Sequence, residues 1–480
     1  MKTIQQYIDE TPKWADGTEV AGSPMTSMQW RIFALATAGK FFEGLVVFMT
    51  GVALPLMVLE FSLGQLEKGI VGAASLFGIL IGATALGGLA DTVGRKQMFI
   101  VEMILFTIFL GLVSIAPNFP FMVVCLFGMG LALGCDYPTA HLVISESIPS
   151  NVRGRLVLSA FGFQAVGALA GTILGFSILK IDGQIIDWRI MYAVAILPAV
   201  AVIIGRFFIV QSPHWLAVRG RIEEAERAVE KLLLRQPPYP KAVKISVRAE
   251  EKAEAEGSSP YGKLFSKKNR RATILASVPW FLQDLGTYGI GIFTPTILAA
   301  TIGVASHHPR NLSEVVHNDM LAAKGAGLID VLLIVGIVAA VLLADRIGRI
   351  RLQIWGFIGC AAGLLLAALS FYFEGPLQYV LIFAGFMLFN FMTNLGPNAM
   401  TYLLAGEVFP TKIRGLGAGF AASFAKVGAV TTAFLFPVLL HSIGTPTLLY
   451  ILVGTSLLGA LITWKFSIET KGLNLEHLES

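Results

Sequence analysis

From Phe119 to Cys135 the chain reads FPFMVVCLFGMGLALGC, 17 residues without a charge, and runs of this kind recur along its whole length. A helix crosses the hydrocarbon core of a bilayer with about 20 consecutive apolar residues, so the solvent that such a chain can fold in is lipid. We read twelve crossings, at about 30–59, 68–90, 97–116, 119–145, 155–180, 188–210, 272–301, 324–344, 352–373, 378–404, 414–441 and 446–466. Only 14% of the 480 residues are charged and 55% are hydrophobic, where a soluble protein carries about a quarter charged. Porin strands would show short stretches of alternating polarity, and none stands out here. The expected fold is therefore all-α and integral to the membrane. Fifty glycines and 21 prolines let such helices pack closely and bend. The start, MKTIQQYIDETPKW, is polar and lacks the apolar core and cleavage site of a signal peptide, so the first crossing is expected to be retained. Cys125, Cys135 and Cys360 fall inside crossings at no metal-like spacing, which predicts packing roles and no metal site.

Basic residues set topology where they flank crossings. Arg95 and Lys96, Arg153 and Arg155, Arg346, Arg349 and Arg351, and Lys412 with Arg414 occupy alternate loops. The segment 212–271 falls on the same side and holds 14 of the 36 Lys and Arg against 8 acids. Both termini and this loop are expected to be cytoplasmic, in a multi-pass protein of an inner or plasma membrane. The acids interleaved with these bases argue against a nucleic-acid partner. In GRIEEAERAVEKLLLR, Ile222, Ala225, Val229 and Leu233 fall at helical spacing, which predicts an amphipathic helix beneath the membrane. The expected organisation is a cytoplasmic segment 1–29, a six-helix bundle 30–211, the loop 212–271, a second bundle 272–466 and a tail 467–480.

The two bundles repeat in sequence. Asp91-Thr-Val-Gly94-Arg95 matches Asp345-Arg-Ile-Gly348-Arg349, and Glu146-x-x-Pro149-x-x-x-Arg153-Gly154 matches Glu407-x-x-Pro410-x-x-x-Arg414-Gly415. A duplicated six-helix unit is the architecture of secondary transporters, with substrate bound between the halves near the midplane. GGLADTVGRK (87–96) resembles the loop signature of the major facilitator superfamily. ESIPSNVRGR, QSPHWLAVRGR, GEVFPTKIRG and ETKG are similar to signatures of its sugar-porter and related metabolite branches. The resemblance covers essentially the whole chain; Thr92 stands where the loop signature usually has Arg. It implies two pseudo-symmetric bundles of six helices that alternate access to a central site. Asp91, Gly94, Arg95, Glu146, Arg153, Asp345, Arg349, Glu407 and Arg414 would form a cytoplasmic gate, Arg95 holding Glu146 and Gly94 making the tight turn.

A charge at the centre of a membrane helix costs about 2.5 kcal/mol or more on insertion scales, so charges inside crossings mark candidate sites. Lys40, Glu43, Glu102, Asp136, Asp284 and Lys426 stand out, with Asp330 a possible seventh. Lys40 and Glu43 share a helix face and can neutralise each other. Trp280, Asp284 and Tyr288 recur every four residues and predict one polar-aromatic stripe on a cavity wall. A shift of 262 pairs Asp136 with Asn398 and Gln164 with Lys426, so these four are expected to face one central cavity.

Within the superfamily this polar set is similar to that of the phosphate:proton symporters: Gly134-Cys-Asp136-Tyr137-Pro138, Gln164, the Trp280–Asp284–Tyr288 stripe, Asn398 and Lys426, with Glu102 at an acidic position. Val46 stands where that family usually has a second acid three residues after the first. The resemblance implies proton-coupled uptake of phosphate or a similar small anion. Lys426 would supply charge, and Tyr137, Gln164, Trp280, Tyr288 and Asn398 hydrogen-bonding groups, with Asp284 touching the anion. Glu43, Asp136, Asp284 and Glu102 would carry protons, because burial favours the neutral form of a carboxyl. The alternatives are a proton-coupled transporter of a sugar, organic acid or organic cation, and a non-transporting nutrient sensor. An enzyme is not expected, since no phosphate-binding glycine loop, metal cluster or nucleophile motif occurs. No cofactor is expected beyond the proton gradient; the partners are a small solute, protons and the bilayer, with the chain a monomer.

Overall fold

The structure is a computed structural model that describes residues 2–10, 25–86, 89–181, 183–234, 243–245, 261–302, 312–410 and 413–470. The side chains of Asp91 and Tyr137 lie outside the described set. We number the long helices in chain order. The first half holds α1 (Ser27–Phe61), α2 (Gln65–Ile81, continued by a π-helical turn Gly82–Leu86), α3 (Arg95–Ser114), α4 (Phe119–Ser147), α5 (Ser150–Ile181) and α6 (Asp187–Phe207). The second holds α7 (Arg270–Ile302), α8 (Leu312–Ile347), α9 (Arg349–Leu369), α10 (Pro376–Leu395, resumed as Pro397–Glu407), α11 (Arg414–Ile443) and α12 (Thr445–Lys465). No strand occurs among the described residues.

Local chemistry explains the boundaries. Thr26 and Gln29 form a reciprocal capping box at the start of α1, which satisfies backbone N–H groups that a helix leaves unpaired there. Asn118 accepts from Phe121 N at the start of α4. The turns into α3 and α9 pass through Gly94 and Gly348 at φ 109° and 104°, a backbone region closed to most side chains. In α10 the Gly396-Pro397 step breaks the helix.

Eleven of these helices are long and apolar enough to cross a membrane. The one left out is α7, which carries Gln283, Asp284, Thr287, Tyr288 and Thr294 on buried positions; the crossing with the weakest lipid signature is the one that supplies most polar groups to the centre. Large apolar side chains point outward, with Leu197 72%, Trp355 65% and Leu342 65% exposed, as lipid rather than water requires.

The halves meet where α2 packs on α11, α5 on α8 and α1 on α7. Towards the face opposite the basic loops this contact is tight: a Cβ on Gly69 of α2 would stand 2.2 Å from the carbonyl oxygen of Phe434 on α11. On the basic face a helix Ile222–Leu233 buries Ala225, Val229 and Leu233, the face expected from their spacing. It packs with the N-terminal helix Ile4–Asp9 beneath the first half, and Thr26 Oγ1 donates to Leu232 O at 2.6 Å.

Candidate functional site

At the centre, Glu43 of α1 is the hub of a network that joins both halves. It accepts from Lys40 Nζ at 2.6 Å within its own helix, from Lys426 Nζ of α11 at 2.9 Å and from Tyr288 Oη of α7 at 2.7 Å. Gln164 Nε2 of α5 donates to Tyr288 Oη at 2.9 Å, and Lys426 also meets the same hydroxyl at 2.5 Å. Asp284 Oδ2 lies 3.8 Å from Lys426 Nζ. Two lysines thus face two acids, and the cluster is formally neutral when all four are ionised. Lys40, Gln164, Trp280, Asp284, Tyr288, Asn398 and Lys426 line one cavity. The sequence stripe of α7 therefore faces that cavity with all three of its members. Asn398 donates to Asn394 Oδ1 at 2.6 Å and so holds the second piece of α10 to the first.

Asp136 is placed elsewhere than the repeat suggested. It lines a second cavity beside the first, sharing Lys40 and Phe161 with it, while Asn398 belongs to the first alone. The cause is Arg206 of α6, a residue that sequence reasoning missed. Arg206 Nη2 lies 2.6 Å from Asp136 Oδ1, with both side chains almost wholly buried. The guanidinium also donates to the carbonyls of Phe99 and Leu35 and lies over the Phe99 ring. It is thereby fixed to α3, α1 and α4 at once. Gly39 makes room on α1: a Cβ there would stand 1.6 Å from Asp136 Oδ2. Glu102 of α3 is buried beside this pair and accepts from Thr139 Oγ1 of α4 at 2.8 Å, within electrostatic reach of Asp136 and Arg206. Here two acids share one base. Arg206 escaped notice because it ends an apolar crossing, where an arginine reads as a topology signal whose head reaches the interface.

The wall of the second cavity includes an aromatic group that the sequence did not announce, Tyr402 with His141 and Phe161. Tyr402 of α10 stacks on Phe161 of α5 with centroids 4.6 Å apart and meets the edge of Trp280. Its hydroxyl lies 3.2 Å from His141 Nδ1 of α4.

The expected gate residues assemble into two copies of one arrangement. Arg95 Nη2 reaches Glu146 Oε1 at 3.2 Å and its Nη1 donates to Ala90 O, while Ser212 Oγ donates to Glu146 Oε2 at 2.5 Å. In the second half Arg349 Nε reaches Glu407 Oε2 at 3.3 Å and its Nη1 donates to Ala344 O, while Thr470 Oγ1 donates to Glu407 at 2.5 Å. Arg153 and Arg414 donate to the carbonyls of Ile148 and Phe409. Ser212 of QSPHW and Thr470 of ETKG thus do the same work. These contacts tie helices within each half. A charge contact that crosses on the basic face is Arg155 Nε to Asp345 Oδ2, 3.5 Å and exposed on both sides; Asp345 also meets Arg349 at 3.0 Å. Thr92, in place of the usual Arg, donates back to Leu89 O. Among the described residues no group of three or more His, Cys, Asp or Glu side chains could hold a metal ion.

Known proteins place the architecture. The family described as "Sugar (and other) transporter" matches residues 32–480. The glucose transporter GlcP of Staphylococcus epidermidis is 26% identical over 95% of this chain and 97% of its own length. The major myo-inositol transporter IolT of Bacillus subtilis is 29% identical over 88% of this chain and 86% of its own. Among solved structures, the partially occluded inward-open form of the xylose transporter XylE from E. coli superposes with a TM-score of 0.76 at 21% identity, covering 94% of this chain and all of the other. The fold is shared and the function is transport, not catalysis of a chemical reaction: the chain belongs to the sugar (and other) transporter family and has the major facilitator fold.

Proposed function

We propose that this protein is a proton-coupled symporter of small neutral polyhydroxylated solutes, of the sugar or polyol class. The observation that carries the reading is the charge balance of the central cavity. Both of its lysines are engaged by Glu43, at 2.6 and 2.9 Å, with Asp284 alongside Lys426. A phosphate, the substrate that the resemblance of single residues implies, would need Lys426 free to face it. With the lysine already neutralised, an anion would meet Asp284 and Glu43 with no compensating charge. A neutral solute meets no such penalty. Gln164, Asn398 and Tyr288 offer donors and acceptors for hydroxyls, and Trp280 and Phe161 offer apolar ring surface against which a sugar packs. Relatives named as glucose and myo-inositol transporters support the same class.

Proton coupling falls to the Asp136–Arg206 pair. An ionised Asp136 is held by Arg206; a proton on Asp136 releases the guanidinium, which then has Glu102 as its remaining acid. The pair touches α1, α3, α4 and α6, so its breakage loosens the packing of the first half next to the cavity. Uptake into proteoliposomes under an imposed pH gradient tests the substrate class. Radiolabelled hexoses, pentoses and inositol should accumulate and compete with one another, and excess phosphate should leave their uptake unchanged. Gradient-driven phosphate accumulation that no sugar or polyol competes with would refute the reading.

A further inference from the structure

Asp330 of α8 is a buried carboxyl that the account so far leaves without a task. Only 3% of the residue is exposed. Thr172 Oγ1 of α5, in the other half, lies 2.8 Å from its Oδ2, and Asn390 Nδ2 of α10 donates to its Oδ1 at 3.4 Å. Charged or titratable groups on the helices packed round it include Lys180 on α5, Tyr379 on α10, Asp284 and Tyr288 on α7, Glu43 on α1, and Lys324, Asp319 and His317 on α8 itself, with Lys324 exposed. Among the described residues none forms an ion pair with it.

Counting hydrogens decides its state. The Thr172 hydroxyl has one proton and two neighbours that accept, Asp330 Oδ2 and Ala168 O at 3.1 Å. A neutral Asp330 satisfies everything: its O–H donates to Thr172, Thr172 donates to Ala168 O, and Asn390 donates to the remaining carboxyl oxygen. An ionised Asp330 would take the Thr172 proton and remain a buried charge with no cation, which is costly. The closed contact between α5 and α8 therefore selects the protonated acid.

We propose that Asp330 is a second proton-binding residue, a latch that bonds the two halves across Thr172 when neutral and lets them part when ionised. Thr172 lies past the middle of α5, towards the face opposite the basic loops, so the rocking that opens the cavity to that face must part the contact. Water then reaches the carboxyl and it ionises; closing again requires a proton from that side. The latch rests on the alternating-access reading of the family but on neither the solute class nor Asp136, and its test needs neither.

The test is a distance across the opposite face. Spin labels on Ile181→Cys of α5 and Tyr372→Cys, just beyond α9, report it; those positions are 84% and 70% exposed, and the native cysteines are buried. In full-length protein in lipid nanodiscs, the short-distance population should grow as pH falls. Asp330→Asn keeps the neutral hydrogen-bond pattern, so it should hold the short distance at every pH with the pH response lost. Thr172→Val keeps the acid and removes its cross-half partner, and should shrink the short-distance population at low pH. A wild-type distance independent of pH, an Asp330→Asn response with the wild-type midpoint, or a Thr172→Val protein as closed as wild type would each overturn the latch.

Discussion

The two halves repeat one set of helices, and they differ most where α3 meets α6 and where α9 meets α12. In the first half Arg206 is buried against Asp136, the Phe99 carbonyl and the Phe99 ring. The spacing of 254 between Arg95 and Arg349 makes Gln353 the counterpart of Phe99, and Gln353 Nε2 donates to Thr463 Oγ1 of α12 at 2.9 Å. The spacing of 258 between Ser212 and Thr470 makes Trp464 the counterpart of Arg206, and Trp464 is 68% exposed to the lipid side. One junction is ionic and the other a neutral hydrogen bond. Both are buried, so packing alone does not call for the charges in the first. On the proposed reading, the titratable pair is the place where the first half responds to protons, and the corresponding junction of the second half is held without an ion pair.

The comparison breaks most visibly at Arg206. Arg206→Met leaves Asp136 buried without its cation, and removing one partner of a buried ion pair costs about 3–5 kcal/mol; the thermal midpoint of the purified protein should fall accordingly. Asp136→Asn combined with Arg206→Met should recover much of that loss, because no uncompensated charge remains. Gly39→Ala attacks the same junction from α1, pushing on Asp136 Oδ2. It should abolish gradient-driven uptake while Gly454→Ala, at a glycine with nothing near its Cβ, should not. At the neutral junction Thr463→Val should cost only about 0.5–1.5 kcal/mol, the net value of one ordinary hydrogen bond, and leave proton coupling intact. The smallest effect belongs to the exposed pair Arg221–Glu224 on the basic face. Hydrogen bonds from Arg221 hold the Glu224 carboxyl below its usual range, so the pair is complete above that range and is lost as pH falls through the lowered value. Solvent screens it, and Arg221→Ala should leave the thermal midpoint at neutral pH unchanged.

What the chain discloses in advance follows from period and cost. The lipid-crossing runs, the duplicated loop motifs and the stripe on α7 depend on neighbours within a few residues, and each is visible as a pattern. Glu43, Asp284 and Lys426 are visible as expensive charges in apolar runs. Which acid meets which base is not, because Lys426 and Glu43 are far apart in the chain and so are Arg206 and Asp136. The shift of 262 pairs Asp136 with Asn398 in sequence, yet the two side chains line adjoining, different cavities, since Arg206 holds Asp136 in the first half and Trp464 has nothing to offer the second. Single residues resemble those of phosphate symporters and imply an anion; the proposal of a neutral solute rests instead on the distances from Lys426 to Glu43 and Asp284. Tyr402 and His141 gave no signal because each reads, alone, as one polar aromatic side chain in a helix.

The central claim is that the proton is carried by the buried pair of the first half and the solute by the cluster that joins the halves. Solute exchange and gradient-driven uptake, measured side by side in proteoliposomes for Asp136→Asn and Glu43→Gln, separate these directly. The account predicts that Asp136→Asn keeps exchange near the wild-type rate and loses accumulation against a gradient, whereas Glu43→Gln, which strips two lysines of their shared acid, loses both. An Asp136→Asn protein that still concentrates solute in response to the pH gradient would contradict it.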